Sequence, residues 1–288
     1  MASLQFSQDN LVNFPRVYVI NLDRSPERLE DFKQSFEPLG LDVVRVAAVD
    51  GKELTLPHPD CDPESYRRYH GAHIGKGVIG CYLSHIKALR QFLESDEETA
   101  LICEDDVAAK PELAQILSEV LSFKKHWDML RLNCHKIPNW SRIPMHVPVR
   151  KLNFGYCLTA PVYWCEGTGA YLVNRKAAEK IVASSLPMYL PYDHAFEQNW
   201  RMDFTIMLVV PFPVVLNAHA THSTIDTTDP LQKRGESNKL PFFQRYLFSP
   251  VLPYRGLMTC QRWRKQIGTA LWYRLFPPGR ELDDPGDG

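Results

Sequence analysis

The stretch "TALICEDDV", residues 99–107, carries a short apolar run straight into three consecutive carboxylates. A run of this length, bounded by polar residues, is typical of a buried strand. Glu104, Asp105 and Asp106 follow at the point where that strand would end. Three adjacent like charges repel one another and lose hydration beside a core, so we expect a positive group opposite them.

The position of this acidic triplet suggests a ligand site. In α/β sheets, ligands collect at the carboxyl ends of strands. Because strand side chains alternate, Glu104 and Asp106 should share one direction and Asp105 the other. Two hard carboxylates side by side suit Mn²⁺ or Mg²⁺. The alternative is a solvated acidic turn that precedes a helix beginning near Pro111.

Around this stretch, predicted strands alternate with predicted helices, which favours an α/β domain with a mostly parallel sheet. Ser25 is a candidate N-cap for the first helix, with Pro26 at its first position. Residues 52–76 have no clear periodicity and are predicted as loop. Strands are predicted at residues 16–22, 42–51, 99–107, 127–133 and 204–215, and helices after residue 25, at 79–93 and at 110–125. Residues 169–184 are predicted as a short strand that leads into a helix.

Composition excludes some classes of protein. A net charge of −1 gives no global attraction to nucleic acid. Seven scattered cysteines without a close Cys-x-x-Cys pair favour a reducing compartment over a disulfide framework or a zinc site. The N-terminal residues lack the pattern of a signal peptide, and no apolar run reaches the ~18 residues of a membrane span. We therefore expect a cytoplasmic protein.

The C-terminal part, residues 241–288, differs in character from residues 1–240, which we predict to be the α/β domain. Residues 241–276 hold six Arg or Lys and no acid. Trp263, Ile267, Leu271 and Leu275 form an apolar stripe at helical spacing. A basic, aromatic, amphipathic helix suits the surface of an anionic membrane. The alternative is a helix docked on the domain with its basic face in water.

Several motifs occur together and in order. They are "VYVINLDRSPERLE" (17–30), "RVAAVDGKEL" (45–54), "GVIGCYLSHIKAL" (77–89), "LICEDDV" (101–107), "GTGAYLVNRKAAEKI" (167–181), "LPYDHAF" (190–196) and "HSTI" (222–225). In this the chain resembles glycosyltransferase family 25, which includes lipopolysaccharide core transferases and collagen galactosyltransferases. Val78 and Gly169 depart from the family pattern, which bears on acceptor or sugar preference.

The resemblance implies a GT-A-like, Rossmann-like fold, a UDP-sugar donor and a divalent cation held by the acidic motif. Asp106 is then the first choice as a direct ligand of Mn²⁺ or Mg²⁺, and Glu104 is the second. Asp105 could also contact the cofactor, because regular strand geometry is lost there. His222 is a candidate late ligand, preferred over His219; most such histidines are ordinary loop residues.

Residues after the first strand could bind the donor. Asn21 lies at its end, and Arg24 and Arg28 share one helix face because they are four residues apart. Two guanidinium groups there could bind the diphosphate or the uridine. The alternative is a pair of surface arginines bound to Glu27 or Asp31.

Three further residues could contact the donor. Asp50 could bind uracil or ribose, or could simply belong to an Asp-Gly turn. Ser84 and His85 lie early in a buried helix and could face the donor sugar. The alternative for both is an ordinary structural role.

An inverting transferase needs a base on the acceptor side to take the proton of the attacking hydroxyl. The family block at residues 190–196 favours Asp193, at the start of a helix after Pro191, with Glu197 one turn later as the fallback. An N-cap role is the alternative for Asp193.

The function expected from these features is transfer of galactose from UDP-galactose to an oligosaccharide or glycolipid acceptor in lipopolysaccharide or lipooligosaccharide biosynthesis. The enzyme would lie peripherally on the inner face of the cytoplasmic membrane. Two alternatives remain: a hydroxylysine galactosyltransferase acting on a protein, and a silent relative that serves as a binding or adhesion module.

Overall fold

Ten strands and seven helices make up the computed structural model in the parts it describes, residues 14–134, 146–161 and 165–221, with Gly268, Leu271 and Trp272. The strands are β1 (Arg16–Asn21), β2 (Val43–Ala47), β3 (Thr99–Glu104), β4 (Val107–Ala109), β5 (Met129–Arg131), β6 (His146–Lys151), β7 (Cys157–Pro161), β8 (Ala170–Asn174), β9 (Ile206–Val210) and β10 (Val214–Leu216). The helices are α1 (Pro26–Phe36), α2 (Pro63–His70), α3 (Lys76–Leu93), α4 (Leu113–Leu121), α5 (Arg175–Ser184), α6 (Tyr192–Phe196) and α7 (Asn199–Met202).

Eight of the described strands form one sheet in the order β2-β1-β3-β8-β5-β9-β7-β6. β1 is parallel to β2 and β3, and β5 is parallel to β9. β8 and β7 run against their neighbours, so six of the eight strands share one direction. The predicted α/β fold with a mostly parallel sheet is confirmed.

Both faces of the sheet are covered, which explains the unbroken apolar run at residues 100–103 of β3. Leu101 and Cys103 pack on the α1 and α4 side, whereas Ala100 and Ile102 pack on the α3 and α5 side. A strand buried on both faces needs a continuous hydrophobic run rather than alternation. The run in residues 99–103 therefore places β3 in the centre and its acidic end at the sheet's edge.

A second, two-stranded sheet fixes the chain just after the acidic triplet. β4 pairs antiparallel with β10, with Val107 opposite Leu216. The triplet is therefore a short turn held between the large sheet and the small one. This explains how three carboxylates keep a defined geometry after the strand has ended.

Some predictions of local structure were wrong. Part of the predicted loop at 52–76 is α2, in which the Asp62 carboxylate accepts a hydrogen bond of 2.9 Å from the Ser65 amide. Pro63 and Gly71, which has a φ of 79°, complete the start and end signals. The helix was missed because its polar face hides the periodicity. The β6–β7 hairpin was also missed, because Pro148 and a register shift interrupt its alternation.

The predicted division at residue 240 stays a prediction. Within the tail, the structure describes Gly268, Leu271 and Trp272, all helical, with Leu271 53% and Trp272 60% exposed. Trp263, Ile267 and Leu275 of the predicted stripe lie outside the described residues. None of the helices that the structure describes is both long and apolar enough to cross a bilayer.

Candidate functional site

A cleft of about 120 Å³ opens at the carboxyl ends of β1, β2 and β3. The three strands are neighbours in the sheet, so the polar residues that follow them converge. Of the residues predicted from the sequence, those lining the cleft are Arg24, Arg28, Asp50, Ser84, His85, Glu104, Asp105 and Asp106. Lys52 and Cys81 also line it and were not predicted.

Asp105 has the positive partner that the sequence led us to expect. Its carboxylate lies 2.5 Å from Nη2 of Arg28, which is buried on α1. Asn21 Nδ2 donates a second hydrogen bond to it, at 2.7 Å. Burial nevertheless raises the pKa of Asp105, against the opposing effects of Arg28 and Asn21. Asp105 is thus occupied by the protein and holds α1 against the end of β3.

Asn21 forms the centre of this network and does not face the cleft directly. Its side-chain amide also donates to the Ser25 carbonyl at 2.8 Å, and its Oδ1 accepts from Arg45 Nε at 3.0 Å. These contacts fix the turn between β1 and α1. Asn21 is buried and does not line the cleft, and its side chain holds Asp105 from behind.

Asp106 is the carboxylate with the least support from the protein. Arg28 Nη2 lies 3.6 Å from one of its oxygens, and the other oxygen, Oδ1, is buried without a hydrogen-bond partner among the described residues. Burial, followed by the charge of Glu104, raises the pKa of Asp106 to about 7. A buried acceptor without a donor is costly, and a divalent cation would relieve both the charge and the missing contact.

Glu104 faces the same cleft from the last position of β3. Thr168 Oγ1 donates a 2.5 Å hydrogen bond to its Oε1, and His85 Nε2 lies 3.4 Å from the same oxygen. Glu104 and Asp106 are thus the carboxylates available to a ligand in the cleft, whereas Asp105 is bound by Arg28 and Asn21. The oxygen donors and the orphaned Asp106 Oδ1 fit a hard cation such as Mn²⁺ or Mg²⁺.

Helix α3 forms the opposite wall of the cleft and approaches the β2 end very closely. A Cβ added at Gly80 would lie 2.7 Å from the Val49 carbonyl oxygen, and one at Gly51 would lie 2.6 Å from the Lys76 carbonyl oxygen. Only glycine allows this contact. It explains the glycines in "AVDG" and "GVIG", whose function the periodicity did not indicate.

Ser84 stabilises that contact. Its hydroxyl accepts from the Val49 amide at 2.8 Å and donates to the Gly80 carbonyl at 2.6 Å. Both hydrogen bonds therefore go to backbone groups, although the residue lines the cleft. His85, one residue on, is buried and stacks on Tyr192 with ring centroids 4.3 Å apart.

The outer rim of the cleft is cationic. Arg24 pairs with Asp50, which also caps the turn at Lys52 by accepting from its amide at 2.9 Å. Among the arginines after β1, Arg24 is exposed whereas Arg28 is buried, so the alternative of two surface arginines is wrong for Arg28. Arg24 and Lys52 are the cations at the mouth of the cleft.

Asp193 and Glu197 have different environments. Asp193 lies in the first turn of α6 and accepts a 3.1 Å hydrogen bond from the Gly167 amide. Thr168, the residue after Gly167, donates to Glu104 of the cleft, so one short loop contacts both Asp193 and Glu104. Glu197 is buried and paired with Arg131 at 2.7 Å. That pair gives Glu197 a structural partner.

Residues 165–169, here called the bridging loop, connect these groups. Its Thr168 bonds Glu104 and its Gly167 bonds Asp193, while Arg131 Nη1 donates to the Cys165 carbonyl at 2.7 Å. Sequence reasoning missed Thr168 and Arg131. The family motif at 167–181 contains Thr168 and was a signal for it, but nothing local marks Arg131, which is a single buried arginine in a short apolar strand.

Gly169, a departure from the family pattern, also has a structural reason. A Cβ there would lie 2.6 Å from Asn133 Oδ1 and 2.9 Å from Val107 Cγ1. The start of β8 thus packs against the turn that carries the acidic triplet.

The late histidine lies at the edge of what the structure describes. His222 lies outside the described residues. The preceding chain is tied to the acidic turn, because the Asn217 amide donates to the Asp106 carbonyl at 2.9 Å. His219 instead binds Asp31 of α1, at 2.6 Å.

The part of the chain that builds this cleft matches a known family. The model of glycosyltransferase family 25, described as an LPS biosynthesis protein, matches residues 14–196, which is more than half of the chain. The match includes every cleft-lining residue named above, together with Asp193 and the bridging loop.

Curated relatives share modest identity. A "Glycosyltransferase 25 family member" of Anopheles gambiae is 26% identical over 80% of this chain and 42% of its own length. "Procollagen galactosyltransferase 1" of Danio rerio is 27% identical over 66% and 32%. A "Probable inactive glycosyltransferase 25 family member 3" of Bos taurus is 30% identical over 63% and 31%. The chain therefore spans less than half the length of each.

Proposed function

The chain belongs to glycosyltransferase family 25, and from this we propose that it is a metal-dependent, inverting galactosyltransferase that uses UDP-galactose. The observation that carries the proposal is Asp106, buried at the end of β3 with an unpartnered Oδ1 and a pKa raised to about 7. A buried carboxylate in that state suits a bound divalent cation. The cations at the rim of the same cleft suit the diphosphate of a donor.

The residues around the cleft would divide the work of binding the donor. Asp106 and Glu104 would hold Mn²⁺ or Mg²⁺, with His222 as a further ligand. The metal, when bound, supplies a Lewis acid that stabilises the charge of the leaving diphosphate. Arg24 and Lys52 lie at the rim, where they would attract that diphosphate.

Buried residues would keep the metal ligands in place. Arg28 and Asn21 hold Asp105, so the acidic turn cannot swing outward when the donor departs. Thr168 orients Glu104 from the other side. Charges that are already in position need little reorganisation during the reaction, and such preorganisation accounts for much of the rate enhancement of many enzymes.

On the acceptor side, Asp193 would take the proton from the attacking hydroxyl. The Gly167 amide orients one of its oxygens, and the residue is only partly buried, so an acceptor can reach it. Glu197 is less suited to this role, because its pairing with Arg131 would have to break. Asp193 is therefore the preferred base.

The acceptor we propose is a lipid-linked oligosaccharide of lipopolysaccharide or lipooligosaccharide biosynthesis. The description of the matching family supports it. The basic tail, residues 241–276, would bring the enzyme to the inner face of the cytoplasmic membrane, where such acceptors are anchored. A hydroxylysine acceptor is the second candidate, and it is favoured by the name of the zebrafish relative.

A donor and acceptor panel tests the proposal. UDP release should be measured with UDP-galactose, UDP-glucose and the N-acetyl sugars, each with Mn²⁺ or with chelator. Lipooligosaccharide and a hydroxylysine peptide would serve as the two acceptors. We expect turnover with UDP-galactose and lipooligosaccharide in Mn²⁺ only.

The controls distinguish the remaining possibilities. Asp106→Asn should lose turnover with every donor. Turnover on the peptide alone would replace the lipid acceptor by the second candidate. Absence of turnover and of donor binding in every combination would mark this chain as silent, the property that the bovine relative's name gives to that protein.

A further inference from the structure

A second set of metal-ligating atoms lies in the same cleft and has a different chemistry. The Cys81 thiol, the His85 imidazole and the Glu104 carboxylate each offer one ligand atom, and these atoms all lie within 4.8 Å of one another. Manganese and magnesium prefer oxygen ligands, so a thiol contributes little to the site proposed above. Thiolate, imidazole and carboxylate together form a ligand set of the kind that zinc prefers.

We propose that Cys81, His85 and Glu104 form a binding site for a zinc-type cation, and that its occupation switches off the transferase by taking Glu104. The first part rests only on the three side chains. The second part also rests on the proposed function, in which Glu104 holds the activating cation.

The elements that carry the ligands favour this site. Cys81 and His85 are four residues apart on α3, so both project from the same face of a helix of 18 residues. Glu104 reaches that face from the end of β3. Two ligands on one rigid helix and a third on a central strand need little ordering when the metal binds.

His85 supplies an independent indication of a missing ligand. It is 1% exposed, and its Nε2 is buried without a hydrogen-bond partner among the described residues. Its Nδ1 lies 3.2 Å from the Tyr171 hydroxyl, a contact of the kind that orients metal-ligating histidines. Stacking on Tyr192 fixes the plane of the ring. Nε2 is therefore held in place, facing Glu104.

The distances are close to those of a tetrahedral site. Zinc bonds of about 2.0–2.1 Å to nitrogen and oxygen place the two atoms about 3.4 Å apart in a tetrahedron. His85 Nε2 and Glu104 Oε1 are 3.4 Å apart. The sulfur needs a separation of about 3.6 Å from the other two ligands, and it lies within 4.8 Å of both. Binding forms a zinc–sulfur bond and releases the thiol proton to solvent.

The proposal is first tested by metal binding without any assay of activity. Co²⁺ titrated into the wild-type protein should produce a thiolate-to-cobalt charge-transfer band, and Zn²⁺ should remove it. Competition with a chromophoric chelator gives the zinc affinity. Cys81→Ser should weaken Zn²⁺ binding by roughly 10²-fold or more, because it removes a direct ligand. Cys157→Ser, which changes another half-buried cysteine on β7, should bind zinc as the wild type does.

A spectrum without the thiolate band in the wild type would overturn the site, and so would equal zinc affinity in Cys81→Ser and wild type. If Cys81→Ser fails to fold, Cys81→Ala provides a second variant, and a thiolate band that persists in it would also overturn the site.

Turnover tests the second part. Zn²⁺ should inhibit the Mn²⁺-activated wild-type enzyme and Cys157→Ser, whereas the turnover of Cys81→Ser, at whatever level it has in Mn²⁺ alone, should not fall when Zn²⁺ is added. Persistent inhibition of Cys81→Ser would overturn the switch even if the site exists. If no variant turns over at all, the proposed function fails, while the cobalt spectrum still decides whether the site is present.

Discussion

The cleft and the neighbouring region around the bridging loop are built in different ways. On the donor side, polar residues follow β1, β2 and β3, which are neighbours in the sheet and are parallel. On the acceptor side, the bridging loop and α6 are held by Arg131, a buried residue of β5. The first arrangement follows from a general rule about strand ends, whereas the second depends on one long-range ion pair.

This difference predicts which mutations remove activity alone and which also destabilise the fold. Asp106 faces the cleft, and its Oδ1 has no hydrogen-bond partner among the described residues, so its loss should remove activity and leave the fold intact. The Arg131–Glu197 pair is fully enclosed, so breaking it should damage the fold as well.

The largest effect is expected at Asp106. Asp106→Asn should reduce turnover by roughly 10³-fold, the upper range for loss of one preorganised electrostatic group. The cause would be loss of metal binding, which calorimetry with Mn²⁺ measures directly. Circular dichroism should stay that of the wild type. Full activity of this variant in chelator would contradict the donor-side assignment.

Breaking the acceptor-side pair should cost stability. Glu197→Gln leaves the Arg131 guanidinium buried without its counter-charge, which destabilises proteins by about 3–5 kcal/mol. Denaturant unfolding measures this. The matched control is Glu98→Gln, which removes an exposed pair with Lys124 and should change stability by less than about 1 kcal/mol. Similar stability of the two variants would mean that the Arg131 pair does not organise the bridging loop.

Asp193 should behave differently from Glu197, because its loss should lower activity rather than stability. Asp193→Asn should lower transfer by roughly 10²-fold or more, the scale of removing a positioned base. UDP binding, measured by calorimetry, should persist because Asp193 does not line the donor cleft. Normal turnover of this variant would move the search for the base to another residue of the acceptor side.

The comparison also shows what the sequence could predict. The apolar run before Glu104, the alternation of Asp105 and Asp106, and Arg28 on the helix after β1 were accessible because each depends on local periodicity. Thr168 and Arg131 were not accessible, since their roles arise only when β5 and β8 become neighbours in the sheet.

The absence of Cys-x-x-Cys argued against a zinc site, and that expectation stays a prediction. Cys81 and His85 share a helix face and lie close to Glu104 of a distant strand. A ligand set drawn from two elements leaves no spacing signature. Asn21 was predicted to contact the donor, and in the structure its side chain binds the adjacent turn, Arg45 and Asp105.

A smaller effect is expected from pH. The Asp106 pKa is raised from 3.8 to about 7, so the folded protein retains a proton that the unfolded chain has lost. The resulting stabilisation is full below pH 3.8 and is lost as the pH rises through about 7. The metal-free protein should therefore melt at a lower temperature at pH 8 than at pH 6. Asp106→Asn should lack this component, and Mn²⁺ should raise the melting temperature more at pH 8.

Removal of the tail is expected to have the smallest effect on transfer activity, because the tail follows all of the proposed cleft and base residues along the chain and contains none of them itself. Six cations without an acid in residues 241–276 should be attracted to anionic lipid by about 1 kcal/mol each near the surface. Leu271 and Trp272 are exposed and helical, as an inserting face requires. A chain ending at Leu240 should lose salt-sensitive binding to anionic liposomes in a sedimentation assay. It should keep transfer to a small soluble acceptor, since Asp106 and Asp193 are retained. Equal liposome binding by the truncated and full chains would show that attachment comes from residues 1–240, and a loss of soluble-acceptor transfer would make the tail part of the catalytic fold.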